Sequence, residues 1–212
     1  MLLTEILFLY SIDEKSKKIK MKNLSKLLSG ALLYDLENEG LVTFHQTGKT
    51  YLKTKLILNK IGKIENPLLD EAINVIGPQK KNFSISHWLK IFPNLNLQKI
   101  IIDNLTLNKY ILQNGRKFQI LNQVKKEEIN DQIINCILKN HKPDNKFKLF
   151  LMLICLRKVN WKLLPKEINF KDEKIKEKLK EYRDMLFEDK IGWHVGMQIP
   201  QIRFLIFLFR EL

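Results

Sequence analysis

The chain has 212 residues, 45% of them hydrophobic, with 37 Lys and Arg against 23 Asp and Glu and a formal charge of +14. That length and apolar content allow a domain with its own core, without disulfide or metal staples. No apolar run approaches the roughly 18–20 residues needed to cross a bilayer, and an opening stretch that carries Glu5 and lacks a basic lead does not read as a secretory signal.

Leu3, Ile6, Leu7 and Tyr10 recur at helical spacing and predict a short amphipathic first helix. A cationic stretch follows, with Lys15, Lys17, Lys18, Lys20, Lys22 and Lys26 interleaved by Ile19, Met21 and Leu24. Leu24, Leu27, Leu28, Ala31, Leu32 and Leu36 then form one helical face that Gly40 is placed to end. Leu41–Phe44 and Lys49–Leu58 alternate like two strands of a hairpin around Gln46, Thr47 and Gly48.

Asn66-Pro67 is a helix start, with Asn as cap and Pro at the first helical position; the helix stops at Gly77-Pro78. Ser84 caps a short helix that ends before Pro93, and Leu97 to Asn108 continue as another. Ile111-Leu112 and Phe118 to Leu121 make a second hairpin about the turn Gln113-Asn114-Gly115-Arg116. A helix through Ile129, Ile133 and Ile137 follows. Leu149–Leu156 and Phe204–Phe209 are apolar on every side, the pattern of central core helices rather than of surface ones. Ile175, Leu179, Tyr182 and Leu186 mark an ordinary amphipathic helix. With no internal repeat and no Pro- or Ser-rich linker, residues 1–212 read as one compact, mainly α-helical domain with a buried central helix and small β-hairpins.

Catalytic and metal chemistry find little support. Thr47-Gly48-Lys49-Thr50 looks like the end of a phosphate-binding loop, but the glycine that motif needs five positions before Gly48 is Thr43. His45, His87, His141 and His194 are scattered, without metal-ligand spacing, and Cys136 and Cys155 read as buried, reduced thiols. Asp70 and Glu71 fall in the first turn or so of a helix, where carboxylates meet the dipole. The expectation is a non-enzyme with no cofactor and no metal.

The cation excess favours an anionic partner: nucleic acid, a membrane leaflet or an acidic protein. The cations are mostly Lys; Arg occurs only at Arg116, Arg157, Arg183, Arg203 and Arg210. A Lys, Asn and Ile skew also arises when an AT-rich genome fills solvated faces with lysine, and Lys grips phosphate less selectively than Arg. Two devices nonetheless suit a membrane surface. Lys17, Lys18, Lys20, Lys22 and Lys26 can meet anionic headgroups at about 1 kcal/mol each. In the second hairpin Arg116 flanks Phe118, Ile120 and Leu121, which can wedge into the interface or equally pack on the preceding helix.

The order of segments is similar to that of the Golgi phosphoprotein 3 family. The carrying residues are Leu2–Ile19, Leu27–Val42, Asn66–Ile76, Ile85–Phe92, Asn104–Leu112 and the apolar helix running into Leu163-Leu164-Pro165. The resemblance implies a non-catalytic helical domain recruited to membranes through phosphatidylinositol 4-phosphate. It further implies capture of the cytosolic tails of membrane proteins, and a place on the cytosolic face, at the Golgi in eukaryotic members. It implies too that the hairpin at Phe118–Leu121 is the inserting one. The phosphate pocket of the Golgi members uses a Trp and several Arg, and those positions fall here on Lys20, Ser29, Leu95 and Gln98. The chain looks like a divergent, prokaryotic-type member.

The rival reading is a nucleic-acid-binding winged helix, since Leu95–Leu121 runs helix then hairpin. Its helix offers Asn104 and Asn108 but no Arg, the usual reader of guanine, so nucleic acid is the lesser expectation. Lipid identity, cargo and oligomeric state are not written in the sequence.

Overall fold

Leu3–Ser11 forms the first helix, α1, in the computed structural model, which describes residues 1–46, 54–59, 64–79, 82–156, 158–186 and 188–197. Its periodicity predicts one apolar face, yet eight of its nine residues are buried. A helix enclosed on nearly every side must find partners for its terminal N–H and C=O groups inside the protein. At the N-terminal end the Asp35 carboxylate accepts the N–H groups of Leu3 at 2.8 Å and Thr4 at 2.9 Å, together with the Thr4 hydroxyl. Glu5 turns back to accept the Leu2 N–H at 2.8 Å and also takes the Asn104 side-chain amide. At the other end Lys126 Nζ donates to the Tyr10 carbonyl at 3.3 Å and lies 4.2 Å above the Tyr10 ring. An acid thus stands at the positive end of the helix dipole and a base at the negative end. Burial pushes the Asp35 carboxyl up to about 6 and the Lys126 ammonium down to about 8.

Two short strands, β1 (Ile12–Asp13) and β2 (Lys18–Ile19), follow α1 as a miniature antiparallel pair. The sequence shows only a cationic stretch there. Helix α2 (Leu24–Asn38) packs along α1 and ends as expected at Gly40, whose φ of +67° suits glycine. The Leu41 N–H then reaches back to the Leu36 carbonyl at 2.9 Å. Strand β3 (Val42–Gln46) pairs antiparallel with β4 (Thr54–Leu58), with Val42 opposite Leu58 and Gln46 opposite Thr54. The Thr47–Thr50 segment lies outside the described residues.

Helix α3 (Pro67–Ile76) starts where Asn66 accepts the N–H groups of Leu68 and Leu69, and α4 (Ile85–Ile91) where Ser84 accepts that of His87. A 3-10 turn at Phe92–Asn94 leads to α5 (Leu97–Leu107). The second hairpin, β5 (Ile111–Asn114) and β6 (Lys117–Ile120), comes next. It turns at Gly115-Arg116, one residue later than the sequence pattern suggests.

Helices α6 (Gln123–Leu138) and α7 (Asn145–Cys155) follow. The latter is the expected central helix, buried from Leu149 through Cys155 and set edge-on to Tyr10 through Phe150 at 5.3 Å. The similar 204–209 run lies outside the described residues. After a 3-10 segment at Lys158–Leu163 come α8 (Glu173–Met185) and α9 (Lys190–Met197). Helix α9 lies against α2, with Lys190 ion-paired to Glu37. Gly30 permits the approach, because a Cβ there would sit 2.3 Å from Val195 Cγ2. The described residues make nine α-helices and three two-stranded ladders, a mainly α fold.

Candidate functional site

The basic segment between α1 and α2 is held by a short acidic clasp. Asp13 accepts both the backbone N–H of Ser16, at 2.9 Å, and its hydroxyl, which holds the Asp13 carboxyl below the usual range, with Lys20 and Lys15 adding to the effect. Lys17 adopts the left-handed conformation at φ 55° and donates its N–H to the Asp13 carbonyl at 2.7 Å. The clasp turns the chain, leaving Lys15, Lys17, Lys18, Lys20 and Lys22 exposed and Lys26 half-buried at the start of α2.

One backbone hydrogen bond joins this segment to the second hairpin: the Phe118 N–H donates to the Lys17 carbonyl at 2.8 Å. It sets the tip residues Arg116 and Lys117, both exposed, against the β1–β2 turn. The two cationic features read separately in the sequence are therefore neighbours in the fold. No acid occurs between Lys15 and Tyr34. Among the described residues none of Lys15, Lys17, Lys18, Lys20, Lys22, Arg116 and Lys117 has a carboxylate within ion-pair distance. That adjacency had no local signal; only the Asp13-to-Ser16 spacing hinted at a turn.

The expected apolar wedge is not on this face. Phe118 and Ile120 are each only 6% exposed, and Phe118 packs edge-on against Phe8 at 5.9 Å. The hairpin register explains it. Ile111 lies opposite Ile120 and Gln113 opposite Phe118 on the face turned to the core, while Leu112 and Gln119 point outward. Of the three residues expected to insert, Leu121 alone is on the surface, 46% exposed, with Leu112 at 40% as its neighbour on the outer face.

Of the four positions that match the family's phosphate pocket, Leu95 and Gln98 share a hollow without charge. A concavity of about 210 Å³ is lined by Ser25, Leu28, Pro93, Leu95, Asn96, Leu97 and Gln98, none of them charged. Ser29 is buried, and its hydroxyl donates back to the Ser25 carbonyl at 2.8 Å. Lys20 sits beyond the end of β2, outside this lining. The structure thus places a neutral hollow where the family resemblance looks for an arginine grip.

Helix α5 is a poor reader of bases. Asn104 gives its amide to Glu5, Asn108 gives its own to the Asn104 carbonyl at 2.8 Å, and the helix packs on α1, α2 and α3. Among the described residues no three His, Cys, Asp or Glu side chains gather as metal ligands. Cys136 and Cys155 are free and buried, and burial raises both thiols, so neither has the low pKa of a nucleophile. No described helix is long and apolar enough to cross a membrane.

These features define a class: a mainly α-helical domain that carries exposed, unpaired cations at the Lys17 turn and the second hairpin's tip. The family model described as Golgi phosphoprotein 3 (GPP34) matches residues 3–190, and the chain belongs to that family, a non-enzymatic one of membrane trafficking. No curated protein matches the chain.

Proposed function

We propose that this protein is a non-catalytic peripheral membrane adaptor that binds anionic phospholipid through the face formed by Lys17, Lys18, Lys20, Lys22, Lys26, Arg116 and Lys117. The observation that carries the reading is the Phe118-to-Lys17 hydrogen bond, which unites turn and hairpin tip. Cations held on one face add their attractions to a planar anionic surface, each by about 1 kcal/mol. Leu112 and Leu121 supply a shallow apolar contact beside them, and the hairpin keeps Phe118 and Ile120 in the core. Family membership supports a trafficking role on the cytosolic face of a membrane, with protein tails as cargo. The neutral hollow favours recognition of surface charge over a selective grip on phosphatidylinositol 4-phosphate.

Vesicle flotation tests this directly. Recovery should rise with phosphatidylserine content, fall with salt, and drop sharply when Lys17, Lys18, Arg116 and Lys117 are all changed to Ala. A further gain specific to phosphatidylinositol 4-phosphate would restore headgroup selectivity. Equal recovery on neutral and anionic vesicles at low salt would sink the electrostatic reading, and tight, steeply salt-dependent DNA binding without lipid binding would promote the nucleic-acid one.

A further inference from the structure

Helix α6 turns Ile129, Ile133 and Ile137 to the core. Beside that face Lys125, Glu128, Gln132 and Asn135 recur every three or four residues and make a second stripe, which is polar. Helices α6 and α7 both pack on α8, and between α6 and the start of α7 the surface sinks into two hollows of about 190 and about 210 Å³. Gln132, Asp144 and Phe147 line both, so the two make one groove. Ile6 and Ile129 give the first hollow an apolar wall, Cys136 the second, and Phe147 serves each. From Lys125 to Cys136 the groove follows roughly 16 Å of α6, the span of about five residues of extended chain.

Two observations say what would lie there. The Gln132 and Asn135 carboxamides bond to no other described residue. About one turn apart along the groove, each offers an acceptor and two donors, the groups that an extended backbone displays in turn. The charges are unevenly answered. Glu128 is paired with Lys125 at 2.6 Å, and Asp144 accepts the Phe147 N–H at 2.7 Å, at the positive end of the α7 dipole. Lys146 by contrast donates to the neutral Met1 carbonyl, at 3.3 Å. Neither it nor Lys142 has a carboxylate within ion-pair distance among the described residues. Backbone geometry holds Lys142 at the groove's end. Asn140 is left-handed at φ 56°, and the N–H groups of Lys139 and His141 both go to the Asn135 carbonyl, at 3.2 and 3.0 Å, which turns the chain back over the last turn of α6.

We propose that this groove docks an extended acidic peptide of a partner protein. The peptide's backbone bonds to Gln132 and Asn135, alternate apolar side chains fill the two hollows, and carboxylates meet Lys142 and Lys146. Unanswered cations beside an apolar floor select an acidic chain over a basic one. The inference goes beyond the membrane reading. None of Lys17, Lys18, Lys20, Lys22, Lys26, Arg116 and Lys117 lines the groove, so each stands without the other.

Acetylated, fluorescein-labelled pentapeptides in which Asp or Glu alternates with Ala, Val or Leu, together with their Lys counterparts, test it by fluorescence anisotropy. At least one acidic peptide should bind saturably and shift the NMR signals of the Gln132 and Asn135 side-chain amides, and its Lys counterpart should not bind. Gln132→Ala and Lys142→Glu change exposed residues and should leave thermal unfolding unaltered. Each should weaken the acidic peptide about tenfold, and Gln132→Ala should float with phosphatidylserine vesicles as the parent does. Failure of every acidic peptide to bind, equal binding of the Lys counterpart, or full binding by Lys142→Glu overturns the proposal. A drop in vesicle recovery for Gln132→Ala would give the groove to lipid and overturn it too. So would a dimer in sedimentation that Gln132→Ala breaks while no peptide binds, since the groove would then hold a second copy of the chain.

Discussion

Charges around α1 and charges on the cationic face obey opposite rules. Asp35, Glu5 and Lys126 are buried, and each has named partners at short range. Lys17, Lys18, Lys22, Arg116 and Lys117 are exposed and have no ion pair among the described residues. The difference separates structure from function. An inner charge is tolerated because it completes a helix end, and removing it strands the groups it served. An outer charge is left uncompensated, so its attraction remains available to something else.

Phe118 stands where the two regions meet, and altering it has the largest expected effect. Phe118→Ala removes the edge-on contact with Phe8 from the core and should lower unfolding free energy by about 3–5 kcal/mol. Alanine keeps the backbone N–H that ties the hairpin to the Lys17 carbonyl, so any fall in vesicle recovery should come only from loosening of the hairpin's packing, with no cation removed. A stability loss below about 1 kcal/mol in urea unfolding would show that the hairpin does not pack on α1, and would reopen insertion through Phe118 and Ile120.

Next come the buried charges themselves. Asp35→Ala leaves the Leu3 and Thr4 N–H groups and the Thr4 hydroxyl without an acceptor, a loss of about 3 kcal/mol. The pH dependence is more telling. Asp35 rises from 3.8 to about 6 on folding, so the folded state holds its proton more tightly. Its cost to stability is absent below pH 3.8, grows as pH climbs to about 6, and persists above, reaching about 3 kcal/mol. Lys126 falls from 10.5 to about 8. Its cost is full below pH 8 and is relieved as pH rises toward 10.5, again by about 3 kcal/mol. Denaturant midpoints from pH 4 to 10 should show both limbs. Asp35→Asn should flatten the acid one and Lys126→Met the alkaline one. If neither limb changes, these groups are not buried charges and the comparison fails.

What the sequence disclosed follows the same division. Elements set by local chemistry were legible: the Asn66-Pro67 start of α3, the Ser84 cap of α4 and the Gly40 end of α2 all stand where the residues put them. The periodicity of helix α1 reports only one apolar face. Its other sides are covered by residues from distant segments, among them Asp35, Asn104, Phe118 and Lys126. Strands β1 and β2 are two residues each, too short to carry alternation. Helix α9 has no clear periodicity to announce it; its local signal is Asp189, which accepts the N–H groups of Ile191 and Gly192. The lysines of the site were legible one at a time. Their union with Arg116 was not, because it rests on a bond between residues 17 and 118.

The smallest expected effect compares two lysines that differ only in setting. Lys18→Gln removes an exposed cation, so unfolding free energy should stay within about 0.5 kcal/mol of the parent, while partitioning onto phosphatidylserine vesicles weakens by about 1 kcal/mol, roughly fivefold. Lys126→Gln should do the reverse, shifting stability and leaving partitioning untouched. The membrane term has a further signature, since the screening length shrinks from about 8 Å at physiological salt to about 3 Å at 1 M. At 1 M salt Lys18→Gln and the parent should bind vesicles equally, whereas the Lys126→Gln stability change, arising in the interior where screening is weak, should survive. A Lys18 effect that persists at high salt would mean that this side chain acts by packing and not by charge, and the outer region would then follow the rule of the inner one.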